Sequence, residues 1–278
     1  MKKLCLLLLF LPLNAASLSD WQQTAAEAES HKVRQTAEKQ TFKQIKAEVK
    51  AGFEDSLVDL ADLYYDGIGT KKNYKKAYKY YKKAAQLHNE YAAYSQAFML
   101  MYGQGVKKNQ TEAFHMFTTL AENGFPPAAL ELFRAYKDGN GCEKDPVQSR
   151  RWLERAANYR LPAGLLYLGA QTLEENPEEG FFLLKQAADL ENMRAQYLTA
   201  LCYQEGTGTD PNPNRAFEYM LLAAKQHYAP AQWQTAQWYA QGYGTEPSAY
   251  QAFRWTRLAA QNGEAAAQKR LAEMYEKG

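Results

Sequence analysis

The sequence has little glycine or proline, no excess of charge of one sign, and no long apolar run. Its 17 glycines and 10 prolines in 278 residues exclude a low-complexity chain. The apolar run Leu4–Leu11 is far shorter than the roughly 20 residues that span a bilayer, so no stable membrane span is expected. The formal net charge of +2 argues against nucleic-acid binding, which requires a basic surface. What the chain does have is apolar material, 46% of its residues, enough for a substantial core.

Residues 1–17 have the layout of a secretory signal peptide. Lys2 and Lys3 precede the apolar run, and the small residues Ala15, Ala16 and Ser17 follow it. We expect cleavage near Ala16 or Ser17 and a periplasmic protein, with secretion as the alternative. The other interpretation of this segment is a buried N-terminal helix. Cleavage would change 33 basic and 31 acidic residues into 31 of each, so the mature chain would be neutral.

A Gly-x-Gly pair recurs along the chain, which indicates a repeat protein. The pairs begin at Gly67, Gly103, Gly139, Gly206 and Gly242. Their spacing is 36 residues except for one interval of 67, which is 36 plus 31. A shortened unit is therefore expected in that interval, with the central loop and its Gly-x-Gly deleted. A phosphate-binding role for the pair is not favoured, because the dinucleotide motif needs a preceding strand and a third glycine.

Each unit is predicted to contain two helices around this loop. The loop glycines are expected to adopt positive φ at the end of the first helix. The second helix is expected to begin after a residue whose side chain can cap free backbone N–H groups. These N-cap residues are Asn73, Asn109, Asp145, Asn176, Asn212 and Ser248.

The pattern Ala-x-x-x-Leu-Gly-x-x-Tyr-x-x-Gly-x-Gly, then Asp or Asn, then Ala and Ala-Ala, resembles Sel1-like repeats, relatives of the tetratricopeptide repeat. Ala231–Gly263 and Ser56–His88 match it best. The resemblance implies an all-α, right-handed α/α solenoid of about six helix-turn-helix units over residues 52–278, after an N-terminal helical cap at 18–51. The unit boundaries are 52–88, 89–124, 125–160, 161–192, 193–227 and 228–263, with a terminal helix at 264–278.

The same resemblance implies a binding protein without enzymatic activity or cofactor. Exported bacterial members of this family act mostly as adaptors, receptors, regulators or inhibitors, and some are immunity proteins that neutralise phospholipase-type toxins. A cysteine-rich branch with a disulfide in each repeat is associated with cell-wall compounds. This chain lacks those paired cysteines, so that branch's properties do not transfer.

In such repeats the first helices face the concave side, which implies exposed side chains at nine, five and two residues before the first loop glycine. Aromatic side chains there are suited to anchoring a protein partner. The alternative, strongest for the first of these positions, is ordinary core packing. The candidate contact residues are Tyr94, Phe98, Met101, Arg134, Tyr197 and Trp233.

Other clusters favour simpler interpretations. Seven lysines between Lys71 and Lys83 are typical of a solvated outer face, and the alternative is attraction of an acidic partner or anionic lipid headgroups. Four glutamates between Glu174 and Glu179 lack the cleft that acid–base catalysis needs. None of the four histidines has zinc-ligand spacing. No catalytic or metal site is predicted.

Cys142 and Cys202 are expected to stay unpaired. Two stacked units separate their positions, on the order of 20 Å by helix packing distances. A disulfide requires about 4.4–6.8 Å between Cα atoms.

The sequence therefore predicts a monomeric interaction scaffold or inhibitor in the bacterial periplasm, with immunity against a toxic effector as one concrete role. Two alternatives remain open. One is a secreted virulence factor that binds a host protein. The other is a cell-wall-related, lactamase-like hydrolase, which would require a convergent Ser/Lys/Glu or His/Glu cluster in the groove.

Overall fold

The computed structural model describes the backbone of residues 18–276 and the side chains of Ser30 and of residues 32–276. The predicted signal peptide lies outside the described residues, so its cleavage stays a prediction. Regular structure in the described range is entirely α-helical, which confirms the predicted fold class. The helices are α1 (Leu18–Ala51), α2 (Ser56–Asp66), α3 (Tyr74–Gln86), α4 (Glu90–Tyr102), α5 (Gln110–Glu122), α6 (Pro126–Asp138), α7 (Pro146–Asn158), α8 (Pro162–Glu175), α9 (Pro177–Asp189), α10 (Met193–Glu205), α11 (Pro213–Lys225), α12 (Ala229–Gln241), α13 (Ala249–Gln261) and α14 (Ala265–Glu276).

The helices form two compact units, one ending at Lys108 and the other beginning at Asn109. Unit 1 holds α1 to α4 and unit 2 holds α5 to α14. Within each unit, a helix packs mainly against its neighbours in the chain, which is the packing of a stacked repeat array. Among the described residues, none of the helices combines the length and the apolar character needed to cross a bilayer.

All six predicted N-caps are confirmed. The side chain of Asn73 accepts a hydrogen bond from the backbone N–H of Lys76 at 3.0 Å, and Asn176 accepts one from Glu179 at 3.3 Å. The other four predicted residues, from Asn109 to Ser248, make the equivalent bond. Each bond satisfies one N–H group that the first helical turn leaves free.

The two glycines of each loop have different roles. The first, such as Gly206 with φ of 76°, terminates a first helix in the left-handed conformation. The second, such as Gly208, lies against the main chain at the start of an earlier second helix. A Cβ on Gly208 would collide with the carbonyl oxygen of Pro177, 31 residues before it. In unit 1, Gly69 lies against the main chain of Glu38, also 31 residues before it. Helix α1 therefore occupies the place of a second helix.

The shortened repeat is confirmed as the helix pair α8 and α9, which lacks the usual central loop. Only Asn176 separates these helices. They approach so closely that a Cβ on Gly180 would collide with the backbone of Leu173. A missing side chain at this position therefore permits the helices to pack without the usual loop.

A recurring aromatic pair fills the space between one helix pair of the repeat and the next. Phe217 and Tyr239 meet edge to face with ring centroids 5.1 Å apart, and Phe181 and Tyr203 repeat the arrangement at 5.1 Å. Such edge-to-face pairs contribute beyond their buried area. The shortened unit lacks this pair, because the position of the tyrosine is held by Thr172.

Buried glutamines in unit 2 connect consecutive helix pairs. The side-chain amide of Gln232, 1% exposed, donates to the carbonyl oxygen of Ala224 at 3.1 Å and accepts from Asn262 at 2.8 Å. Gln196 makes the same pair of bonds, donating to Ala188 at 3.3 Å and accepting from Gln226. Each glutamine thus adds a second hydrogen bond to a carbonyl group in the last turn of a helix, which also accepts from a backbone N–H group.

Candidate functional site

Four aromatic side chains lie along one face of α4 in unit 1. They are Tyr91, Tyr94, Phe98 and Tyr102, spaced three or four residues apart, which places them on the same side of a helix. Tyr91 and Tyr102 are each 48% exposed, and Tyr94 and Phe98 are half-buried. The rings of Phe98 and Tyr102 lie 4.6 Å apart. We call these four residues the α4 aromatic face.

A half-buried carboxylate on α2 fixes the N-terminal end of this face. The hydroxyl of Tyr81, from α3, donates a short hydrogen bond to Asp62. The hydroxyl of Tyr91 lies 3.5 Å from the same carboxylate oxygen. The rings of Tyr81 and Tyr91 meet edge to face with centroids 6.5 Å apart. Three helices therefore meet at one acceptor, and Tyr91 is held where part of its ring reaches the surface.

The electrostatics of this cluster follow from its burial. Burial raises the pKa of the Asp62 carboxyl, and the hydrogen bond from Tyr81 offsets only part of that effect. Burial raises the pKa of Tyr91 as well, and the nearby Asp62 charge adds to it. The two tyrosines therefore act as hydroxyl donors, and Asp62 is a positioning group for the aromatic face.

A second hydrogen bond fixes the other end of α4. The hydroxyl of Tyr65, on α2, donates to the side-chain oxygen of Gln104 at 2.8 Å. The Tyr65 ring also packs edge to face on Tyr74, with centroids 5.1 Å apart. Helix α4 is thus held at both ends, by α2 and α3 at Tyr91 and by α2 at Gln104, which positions the aromatic face before any partner arrives. Preorganisation of this kind reduces the entropy cost of binding.

One predicted contact residue needs correction. Met101 was expected to be exposed, but it is only 3% exposed, like its neighbours Met99 and Leu100 at 0% and 3%. Met99, Leu100 and Met101 are therefore enclosed, and in the last turn of α4 it is Tyr102 that reaches solvent. Met101 therefore offers no surface to a partner. The prediction also missed Tyr91 and Tyr102. Tyr91 lies seven residues before Phe98 and Tyr102 four residues after it, a spacing that places all three on one helical face.

The other three predicted residues lie in unit 2 and have structural contacts. Arg134 forms an ion pair with the buried side chain of Glu131, one turn earlier. Tyr197 packs edge to face on Tyr228, with ring centroids 5.5 Å apart. Burial is the main cause that raises the pKa of the Tyr197 hydroxyl. Trp233 is partly buried and contacts two hydrophobic clusters of unit 2. Tyr197 and Trp233 thus take part in packing between helices, and Arg134 is held by a partner on its own helix.

The acidic, histidine and cysteine side chains of the described residues do not gather into a metal site. No group of three or more His, Cys, Asp or Glu side chains within them could hold a metal ion. The four glutamates from Glu174 to Glu179 are exposed. Cys142 and Cys202 are unpaired, and burial raises the pKa of the Cys202 thiol to about 11, which keeps it protonated and unreactive.

Comparison with known proteins agrees with the repeat pattern. The family model described as Sel1 repeat matches seven stretches: residues 55–89, 91–125, 126–158, 163–192, 194–228, 229–264 and 265–278. Chitin synthase regulatory factor 2 of Schizosaccharomyces pombe is 32% identical over 170 residues, covering 56% of this chain. That alignment spans only 33% of the yeast protein's own length.

Solved structures show the same fold. A Sel1 repeat protein from Oxalobacter formigenes has a TM-score of 0.68 at 24% identity, covering 79% of this chain and 99% of that one. A protective antigen of uropathogenic Escherichia coli with an SLR fold has a TM-score of 0.66 at 23% identity, covering 95% of this chain and 60% of that one. An immunity protein from Pseudomonas aeruginosa has a TM-score of 0.52 at 18% identity, covering 74% and 83%.

Proposed function

The chain belongs to the Sel1 repeat family, and on that premise we propose that it is a non-enzymatic scaffold that takes a protein partner on the α4 aromatic face. The observation that carries the proposal is the exposure of Tyr91 and Tyr102, each 48%, on one side of a helix that Asp62 and Tyr65 hold in place. Large, ordered aromatic side chains dominate the binding energy of protein interfaces.

The specific role we propose is inhibition of a toxic effector in the bacterial periplasm. Two observations support it. The first is the signal-peptide layout of residues 1–17. The second is the fold shared with an immunity protein. An inhibitor needs only a complementary surface, which suits a chain whose described residues gather no metal-binding cluster.

Affinity capture with matched variants tests the binding surface. The bait is the chain from Leu18 onward, compared with Tyr91→Ala/Phe98→Ala. The control is Tyr250→Ala/Phe182→Ala, which removes one tyrosine and one phenylalanine that are 72% and 61% exposed on α13 and α9. A partner captured from envelope extract should bind the first variant at least roughly 30-fold more weakly, as for a hot spot of about 2 kcal/mol, and the control as tightly as wild type.

Three outcomes contradict this surface. They are full binding by Tyr91→Ala/Phe98→Ala, equal loss in both double variants, and loss of binding by Tyr91→Ala that coincides with reduced far-UV helicity. Because Phe98 is half-buried, the single variant Tyr91→Ala serves where the double variant fails to fold. It should still weaken binding without a change in helicity.

Localisation and immunity are tested separately. Fusion of residues 1–30 to alkaline phosphatase should give active enzyme in the periplasm, and an inactive cytoplasmic fusion would contradict export. Deletion of the gene should sensitise cells to an effector directed to the periplasm and encoded by a neighbouring gene. Unchanged sensitivity, or recovery of the intact protein from the medium, would favour a secreted binding protein instead.

A further inference from the structure

A row of lysines covers one face of α1 in unit 1. Lys39, Lys43, Lys46 and Lys50 are exposed and spaced four, three and four residues apart, which aligns them on one side of the helix. They line a surface depression of about 520 Å³ to which Phe42 also contributes. The row is therefore a continuous basic strip with an apolar base.

A second group of lysines lies on α3. Its 13 residues include five lysines, from Lys75 to Lys83, and no Asp or Glu. All five lysines are exposed, and none of the ion pairs found among the described residues involves them. Two second helices of unit 2, α7 and α9, differ, because Arg150 pairs with Glu154 and Lys185 with Asp189. The positive charge of α3 is left uncompensated within its own helix.

Aromatic rings join these two groups into one surface. The ammonium of Lys46, on α1, lies 5.8 Å from the centroid of the Phe42 ring. That ring meets Tyr64 edge to face with centroids 5.3 Å apart. The ammonium of Lys76, on α3, lies 4.9 Å from the centroid of the Tyr64 ring. Cation–π contacts of this kind fix both lysines against a shared aromatic base. We call the combined lysines of α1 and α3 the lysine surface.

Two exposed apolar side chains lie close in the chain to residues that line the depression. Phe53, three residues after Lys50, is 63% exposed, and Ile68, next to the Gly69 that borders the depression, is 40% exposed. Apolar side chains beside lysines are typical of proteins that lie on a membrane, where the apolar groups enter the boundary of the acyl chains. A purely electrostatic contact with a nucleic acid would leave these side chains without a role.

We propose that the lysine surface docks unit 1 on a bilayer that contains anionic phospholipid. No arginine occurs between Arg34 and Arg134, so the surface lacks the planar fork that recognises single phosphates or carboxylates bidentately. Point charges spread over two helices suit a diffuse negative surface. The inference goes beyond the proposed partner binding, because it concerns other residues and a different class of ligand.

Vesicle sedimentation tests the proposal with the chain from Leu18 onward. Vesicles of phosphatidylcholine alone are compared with vesicles that also contain phosphatidylglycerol. The variant Lys43→Gln/Lys79→Gln/Lys83→Gln removes three exposed lysines and keeps Lys46 and Lys76, whose ammonium groups contact aromatic rings. The control Lys144→Gln/Lys225→Gln/Lys269→Gln removes the same charge from exposed positions of unit 2.

The expected result is binding only to the anionic vesicles, weakened by added salt because the charges are exposed. The first variant should lose roughly 100-fold in partition coefficient, since each lysine contributes at an anionic lipid surface, and the control should resemble wild type. Phe53→Ser should weaken vesicle binding further without changing the salt dependence.

Several results would overturn the proposal. They are equal binding to both kinds of vesicle, no binding to either, or equal loss in the two triple variants. Parallel measurements with polyglutamate and with a DNA duplex decide between ligand classes. Binding to one of these without binding to anionic vesicles would assign the lysine surface to an acidic protein or to a nucleic acid.

Discussion

Gly141 lies directly against the main chain of Gln110, the first residue of α5. A Cβ at position 141 would collide with the Gln110 carbonyl oxygen. The same contact recurs between Gly244 and Pro213, again 31 residues apart. Each such glycine lets the loop of one helix pair rest on the second helix of the previous pair. The contact sets the spacing between layers, and this explains why glycine occupies the position.

Gly141→Ala should therefore destabilise the protein more than Gly124→Ala. Both glycines have positive φ, 82° and 91°, but only Gly141 has main chain in the path of a Cβ, because a Cβ on Gly124 meets nothing within 4 Å. We expect a loss of about 1 kcal/mol for Gly124→Ala from its backbone conformation and at least about 3 kcal/mol for Gly141→Ala. Urea unfolding followed by circular dichroism measures both, and equal losses would contradict the contact.

Gln232 should be intolerant of an apolar substitution of similar size. Gln232→Met leaves the amide of Asn262 without its partner and removes one of the hydrogen bonds to the Ala224 carbonyl oxygen, which still accepts from the backbone N–H of His227. We expect a loss of about 1–3 kcal/mol in the free energy of unfolding. Gln237→Met, at a half-buried position of the same helix, should change it by less than about 0.5 kcal/mol. A neutral Gln232→Met would show that the bonds carry no net stability.

Local signals predicted the fold, whereas the site required knowledge of packing. Asn176 was identifiable as an N-cap because capping depends on residues three apart in the chain. The bond between Tyr81 and Asp62 joins positions 19 residues apart, and no short-range pattern predicts it. Met101 was misplaced because the repeat register gives a position in the unit but not how much of that helical turn is enclosed.

Asp62 should make part of the stability depend on pH. Its carboxyl pKa in the folded state is raised above 3.8 by burial. The folded state therefore holds this proton more tightly than the unfolded state does. The resulting stabilisation is present below pH 3.8 and is lost as the pH rises through the folded pKa. Asp62→Asn has no such proton and no such loss. Its free energy of unfolding relative to wild type should therefore increase as the pH rises from 3 to neutral.

The control for this prediction is Tyr81→Phe. It removes the hydrogen bond that lowers the pKa of Asp62, so it should widen the pH range over which stability is lost. Thermal unfolding at a series of pH values measures both variants. A constant difference between wild type and Asp62→Asn at every pH would contradict the burial of this carboxyl.

Site-specific photo-crosslinking in living cells tests the central claim, that the α4 aromatic face binds a protein. A benzophenone amino acid replaces Tyr91 in one strain and Tyr250 in another, positions that are 48% and 72% exposed. Irradiation should yield one discrete crosslinked protein from position 91 and none of the same mass from position 250. Absence of a crosslink at position 91, or the same product from both positions, would contradict the account.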